Sequence, residues 1–416
     1  MPFFPLAMIT FHQNIKKVTK ILNNTRFYIK KGKIHLMKKR ATLGIIILFL
    51  AMTWVPSSEM VAISRFPAHP CSGNILYVGG NGPNNFTTIQ DAINHAADGD
   101  TVFVFALTSP YFEHVVVNRS IHLIGENRNT TVIDGEGVGD VVLLNADNTT
   151  VSGFTFQHSG DTPKVDAGIE SQSNRDIIQG NIVFQNGRYG VGILLNGSLG
   201  TLVCNNFIAE NGNEGIFLGK STDTIVRDNI ITRNGHCAIV ISKSSTNTII
   251  NNTMFDNYAG VSLWPGATDN EIAWNLIRNQ EYSGLGIWSG ANNNSIHHNI
   301  FLNNSLYGFI ILKARGNVIG SNTIQGSNEG MHLTMANFTV IKYNNFIRNN
   351  YSAFFENSSF NRWKQNYWDD HVGIRPNCIH GLMRIPWNKT KTIRWINLDW
   401  FPALKPYDIS LSGGSI

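Results

Sequence analysis

From residue 181 onward the apolar residues come in short bursts separated by polar turns, and no stretch keeps the i, i+3, i+4 spacing of an amphipathic helix. Gly192–Leu195, Gly215–Leu218, Gly260–Leu263, Gly286–Trp288 and Gly330–Leu333 alternate as strands do and are too short for helices. Between them an Asn followed two residues later by an apolar residue recurs at Asn181, Asn206, Asn229, Asn252, Asn275, Asn299, Asn322, Asn345 and Asn366, at spacings of 21 to 25 residues. Five residues after most of these stands a second Asn (Asn186, Asn211, Asn234, Asn257, Asn304, Asn350), with Gln280 and Ser327 in two copies. A unit of about 23 residues holding two or three short strands predicts one coil of a parallel β-helix, with coils stacked at about 4.8 Å and about ten coils in all. Aligned from coil to coil, the Asn side chains predict hydrogen-bonded ladders, a structural role rather than a catalytic one.

The ends of such a solenoid need covers. Thr87 and Gln90 have capping-box spacing ahead of Ile89, Ala92, Ile93 and Ala96, with Gly99 placed to stop the helix, which predicts a short amphipathic helix over the first coil. Repeat spacing ends after Asn366, and the segment 367–416 carries Trp368, Trp387, Trp395, Trp400, Phe401 and Tyr407. It reads as an aromatic-rich C-terminal cover, with a sugar-binding platform as the functional alternative. The expected architecture is therefore all-β: a single parallel β-helix over residues 66–366, capped by a helix at its start and by 367–416 at its end.

Charge changes the picture only at the N-terminus. The formal net charge is +5, but residues 1–40 contain ten Lys or Arg and no acid, leaving 23 basic against 28 acidic residues and a net of −5 for residues 41–416. That distribution argues against a nucleic-acid partner. Ala41–Val55 is a largely apolar run led by Lys38, Lys39 and Arg40, the layout of an export signal or short anchor, so residues 1–65 read as a targeting segment, with Met37 as an alternative start. The expected location is extracytoplasmic, secreted or held at the surface by the N-terminal segment alone. Four cysteines without C-x-x-C spacing indicate neither a zinc ribbon nor a dense disulfide framework.

With Tyr77-Val78-Gly79-Gly80, then Phe86–Ile93, Asp98–Val102, the N-x-[apolar] coils and the closing Asn366-Tyr367-Trp368-Asp369, the chain resembles the NosD-like group of exported parallel β-helix proteins. That group lies in the pectin-lyase-like superfamily, with its carbohydrate-binding and sugar-hydrolysis repeats. The resemblance covers roughly residues 75–410 and implies a right-handed helix; it is specific for fold and weak for activity. The copper-centre role of the accessory protein that names the group does not transfer by fold.

Candidate chemistry falls on the outward strand positions. The expected outward column is Glu170, Leu194, Phe217, Val240, Ser262, Trp288, Ile310 and His332, with Trp264 beside it. Glu170, Phe217, Trp264, Trp288 and His332 are the substrate-binding candidates, the aromatics for stacking on sugar rings and the other two as polar or acid–base groups; a turn lying across the face would instead bury them. A turn column of Glu214, His236, Glu281 and Glu329, and the string Asp369-Asp370-His371, read as solvated or structural. His297-His298 is the best nitrogen cluster for copper, but adjacent strand residues face opposite sides, so no metal ligands are assigned. No Gly-His-Gly or Asp-Pro-His-Asp string is present, which disfavours a polygalacturonan hydrolase or mannuronan epimerase. The leading expectation is a monomeric surface protein that binds a polysaccharide or cell-surface glycan. The alternatives are a polysaccharide lyase, with calcium as its cofactor, and a NosD-like copper-handling accessory protein.

Overall fold

The computed structural model describes residues 73–411 except 374, 386 and 387, together with the backbone but not the side chains of 388–390. The expected targeting segment 1–65, Cys71 and Trp387 lie outside the described residues, which belong to one compact unit, Pro70–Ile416.

Each regular coil contains three strands. A long strand such as Ala259–Leu263 is followed by two three-residue strands, here Glu271–Ala273 and Leu276–Arg278, and each pairs in parallel with its counterpart one coil away. The third strands alone build a twelve-stranded parallel sheet, so the stack exceeds the expected ten coils. Inward positions fill one continuous core from Val78 to Ile379, with Ile216, Ile239, Val261, Leu285, Phe309 and Met331 in successive coils.

The Asn ladders run as the spacing predicts. The Nδ2 of Asn275 donates to Ile249 O (2.8 Å), to Ala273 O (2.9 Å) and to Asn299 Oδ1 (3.0 Å), while its Oδ1 accepts from the backbone N and the Nδ2 of Asn252. No polar atom of that buried amide is left unpaired, which is the condition for such a row to stabilise the fold. Two ladder positions differ from the sequence reading. The first ladder passes through Asn344, not Asn345, and the second through Asn349, not Asn350. The residue before each first-ladder Asn is left-handed (Asn251 φ 56°, Trp274 φ 57°, His298 φ 55°, Tyr343 φ 59°), and this bend, not the apolar residue that follows, sets the register. A third ladder, Asn247, Asn270, Asn294 and Asn317, lies one turn earlier.

At the N-terminal end the helix Ile89–His95 buries Ile89, Ala92 and Ile93 in the common core. Its N-cap is Thr88, whose side chain accepts from Asp91 N, rather than the expected Thr87. At the other end Asn377–Ile385 continues the long-strand face in parallel and pairs antiparallel with Asn388–Asp399. The second strand delivers Asp399, fully buried, to the end of the first ladder, where its carboxylate accepts from Gln365 N, Asn366 N, Asn366 Nδ2 and Trp368 Nε1.

Candidate functional site

The outward face of the long strands carries the candidate residues. Register fixes the outward column as Glu170, Leu194, Phe217, Val240, Ser262, Gly286, Ile310, His332, Phe354 and His380. Gly286 stands where the sequence reading placed Trp288. The indole of Trp288 folds back over it, since a Cβ there would meet Nε1 at 2.8 Å, so the missing side chain leaves room for the ring.

The first half of this face is covered. Leu194, Phe217 and Val240 form a buried outer cluster with Trp264 packed against it, and Lys164, in the turn before Ala167–Ser171, lies over the Phe217 ring (5.6 Å) and the Trp264 ring (4.3 Å). The expected stacking platform of Phe217 and Trp264 is therefore occupied by the chain's own turn. Glu170 is also buried and accepts from Gln172 Nε2 and Asn196 Nδ2. It shares a hydrogen bond with Asp140, and burial together with this neighbouring carboxyl pushes Asp140 up to about 8. Between about pH 4 and pH 8 the folded chain keeps a proton that an unfolded Asp releases near its ordinary value. Stability from this pair is complete below that window and declines as pH rises through it. Asp140→Asn should therefore raise the melting temperature at pH 8.5 by roughly 2 °C and leave it unchanged or lower at pH 4. An unaltered pH profile of melting between these limits would contradict the shared proton.

Along one edge of the face runs an aromatic stack that the sequence reading missed. His236 stacks on Tyr258 (5.6 Å, 13°), Tyr258 on Tyr282 (5.4 Å, 2°), and Tyr307 meets Tyr282 and His332 edge-on at 5.5 Å. The Tyr258 and Tyr282 rings face each other, so the sides they share are unavailable to a sugar ring. The 24- and 25-residue spacings of Tyr258, Tyr282 and Tyr307 were a usable signal. His236 bonds Cys237 and the buried Glu214, whose Oε1 is 3.2 Å away; these contacts raise it to about 10 and keep it protonated at neutral pH. The expected turn column is not kept in register: Glu329 continues the column Cys237, Ala259, Ser283 and Tyr307, whereas His236 stands one residue before Cys237 and Glu281 two before Ser283.

The face opens at its C-terminal end. Two cavities of about 680 and 640 Å³ share Phe354 and His380 and continue from the last coils onto the hairpin. The first is lined by Glu329, His332, Tyr351, Phe354, Glu356 and Asp370 among others, and the second adds Arg394, Trp395 and Ile396. Trp395 is 53% exposed and Tyr351 66%, so both offer ring surface to solvent. His332, a sequence candidate, lies here with its Nδ1 2.7 Å from Glu329 Oε2 and its Nε2 3.1 Å from Thr334 Oγ1. Of the five sequence candidates, Phe217 and Trp264 meet under Lys164, Trp288 covers Gly286, Glu170 pairs with Asp140, and only His332 reaches the groove.

The coils and register define a parallel β-helix, and residues 268–380 match a family described as a right handed beta helix region. Within that class the chain is a NosD-like β-helix protein: residues 93–285 match a family described as periplasmic copper-binding protein (NosD). No curated protein matches by sequence. Three solved structures share the fold. The A-module of a mannuronan C-5 epimerase from Azotobacter vinelandii is 16% identical, covers 64% of this chain and 90% of its own, and has a TM-score of 0.51. For a surface adhesin of Streptococcus pneumoniae the values are 15%, 76%, 95% and 0.51. For the catalytic unit of a GH87 alpha-1,3-glucanase from Streptomyces thermodiastaticus they are 16%, 85%, 71% and 0.50.

The family matched over residues 93–285 is described as copper-binding, and the donors present meet that description only in part. Among the described residues no group of three or more His, Cys, Asp or Glu side chains converges on one point. The segment Ser295–His298 nevertheless corrects the sequence reading: His298 is left-handed and outside the strand, so its ring turns to the same side as His297. Their Nδ1 atoms are 3.0 Å apart. The donors fit two positions of an imidazole-preferring ion, not a complete protein cage.

Proposed function

We propose that this chain is an extracytoplasmic, monomeric glycan-binding protein whose site is the groove between the last coils and the C-terminal hairpin. The observation that carries the reading is the combination, in one concavity, of exposed ring surface (Tyr351, Phe354, Trp395) with convergent polar groups (Glu329, His332, Glu356, Asp370, His380). Sugar rings pack their C–H faces on such rings while polar groups take the hydroxyls. The β-helix relatives of similar fold include an epimerase of mannuronan, a glucanase and an adhesin, which supports a glycan as the ligand class.

Charge narrows the class. Three carboxyl groups and one guanidinium line the groove, so a polyuronate would meet net repulsion, whereas a neutral or amino-sugar chain would not. The Glu329–His332 pair favours a second reading, in which the groove also performs acid–base cleavage of that glycan.

The test is a polysaccharide panel containing chitosan, xylan, glucan, alginate and pectin, run with and without calcium. Binding of a neutral or amino-sugar polymer, weakened about 10-fold by Phe354→Ala or Trp395→Ala, is the expected result. Product release abolished by Glu329→Gln would select the enzymatic reading. Binding to alginate or pectin alone, or binding indifferent to both aromatic substitutions, would remove the groove from the account.

A further inference from the structure

At the C-terminal end of the solenoid, outside the groove, a loop holds apolar side chains out in water. After the hairpin the chain runs Trp400-Phe401-Pro402-Ala403-Leu404-Lys405, and Trp400 is 61% exposed, Phe401 78% and Leu404 71%. The backbone imposes this exposure. Ala403 N donates to Asn366 O (3.0 Å), Tyr407 N donates to Asn345 Oδ1 (2.8 Å), Asn345 Nδ2 donates to Tyr407 O (2.9 Å), and the Tyr407 hydroxyl donates to Gln365 O (2.6 Å). Pro402 and Pro406 restrict the chain beside these two anchors. A loop pinned in this way presents its three apolar side chains with little conformational entropy left to lose on docking.

The charge at this end is of one sign. Residues 371–407 carry six Lys or Arg against one acid, Asp399, whose carboxylate is buried and taken by four N–H donors; the rest of 41–416 carries 17 basic and 27 acidic residues. The register adds cations beside the loop. Lys342 is opposite Lys364 and Trp363 is opposite Asp399, so Trp400 continues the Lys342–Lys364 column, and Arg362 and Lys364 are both exposed. Bordering acids are few: Asp369 accepts from Arg348 N, Asp370 accepts from Ser352 Oγ in the groove wall, and Asp408 follows the loop.

Exposed Trp, Phe and Leu set among Lys and Arg is the composition of interfacial membrane segments, whose rings and aliphatic groups enter the headgroup boundary while their cations meet lipid phosphates. A protein partner fits less well, because protein interfaces are depleted in Lys. A sugar site fits less well too, since Trp400, Phe401 and Leu404 line neither groove cavity. We propose that the loop 400–405 docks on an anionic lipid surface, with Trp400, Phe401 and Leu404 at the boundary of headgroups and acyl chains and with Lys364 and Lys405 on the phosphates. No helix among the described residues is long and apolar enough to cross a membrane, and the proposed contact lies on the surface. It is separate from the N-terminal segment 1–65, which the sequence reading made the sole membrane element.

The experiment mixes the full chain with phosphatidylcholine vesicles, with or without phosphatidylglycerol at roughly one third of the lipid, whose brominated acyl chains quench tryptophan at short range. Segment 1–65 is the same in every sample, so differences between variants report the loop. Wild type should lose tryptophan fluorescence on the anionic vesicles, and Trp400→Phe should remove the largest part of that loss, whereas Trp264→Phe should not. Phe401→Ser/Leu404→Ser should raise the lipid concentration for half-maximal quenching of Trp400 by about 10-fold, and Lys364→Glu/Lys405→Glu should do so by at least about 10-fold. Thermal melting establishes that each variant is folded. Quenching that Trp400→Phe leaves unchanged overturns the proposal, as does equal quenching by neutral vesicles. Self-association of the lipid-free chain that Phe401→Ser/Leu404→Ser abolishes, with no quenching by vesicles, assigns the loop to a second copy and overturns it as well. Glycan binding in the groove should be the same in Trp400→Phe as in wild type, so failure here is distinguishable from failure of the groove.

Discussion

Asn275→Ala is expected to lower the unfolding free energy by about 3–5 kcal/mol, among the largest effects of any single change in the chain. The side chain is fully buried between two coils. Its removal leaves the backbone N–H of Asn252 without its acceptor and takes one hydrogen bond each from Asn252 Nδ2, Ile249 O, Ala273 O and Asn299 Oδ1, although Asn299 Oδ1 still accepts from Asn275 N. The orphaned buried N–H costs about 1–3 kcal/mol and each further hydrogen bond lost adds roughly 1 kcal/mol. Asn350→Ala is the matched control: that residue is exposed and bonds only Asn328, so its loss should remain within about 0.5 kcal/mol. Equilibrium urea unfolding of the two variants reads the difference directly, and equal midpoints would refute the ladder as a source of stability.

Asp399→Ala is expected to detach the C-terminal hairpin. One buried carboxylate takes four N–H donors there, two of them from Asn366, the last rung of the ladder. Hydrogen bonds to a charged acceptor are about twice as strong as neutral ones, and all four donors would be orphaned together. Asp399→Asn is no rescue, because an amide presents one donor edge to a site composed of donors. The expected readout is loss of amide-exchange protection across 377–399 with protection of the middle coils retained, since a solenoid's coils depend on their neighbours. Because the hairpin supplies Trp395 and one wall of the groove, glycan binding should fall with it. Retained protection of 377–399 would place the anchor elsewhere.

The contrast between these two residues shows what could be read from the chain. The ladder was visible because a repeated geometry demands a repeated residue, and Asn at coil spacing has few other uses. Its register was less visible where doublets such as Asn344-Asn345 and Asn349-Asn350 offer two candidates; the left-handed residue before the ladder decides, and Tyr343 does not announce that conformation. Asp399 was not legible, because its partner is 33 residues away and no period connects the hairpin to the coils. The groove was missed for the same reason: Glu329, His332, Tyr351, Phe354 and Glu356 stand on the repeating long strands, but Trp395 and Asp370, which complete it, are brought in by non-repeating chain. Strand alternation placed Phe217 and Glu170 outward correctly but could not show that the turn carrying Lys164 lies over that part of the face. At His297 and His298 alternation failed outright, because the second residue belongs to the bend and not to the strand.

Hydroxyl-radical footprinting of the full chain, with and without chito-oligosaccharide, tests the central assignment most directly. Tyr351, Phe354 and Trp395 should become protected, while Trp264 and the exposed Phe360, stacked on Phe338 away from the groove, should react at unchanged rates. Protection centred on Trp264 and Trp288, or on none of these residues with any polysaccharide that binds, would contradict a glycan site between the last coils and the hairpin.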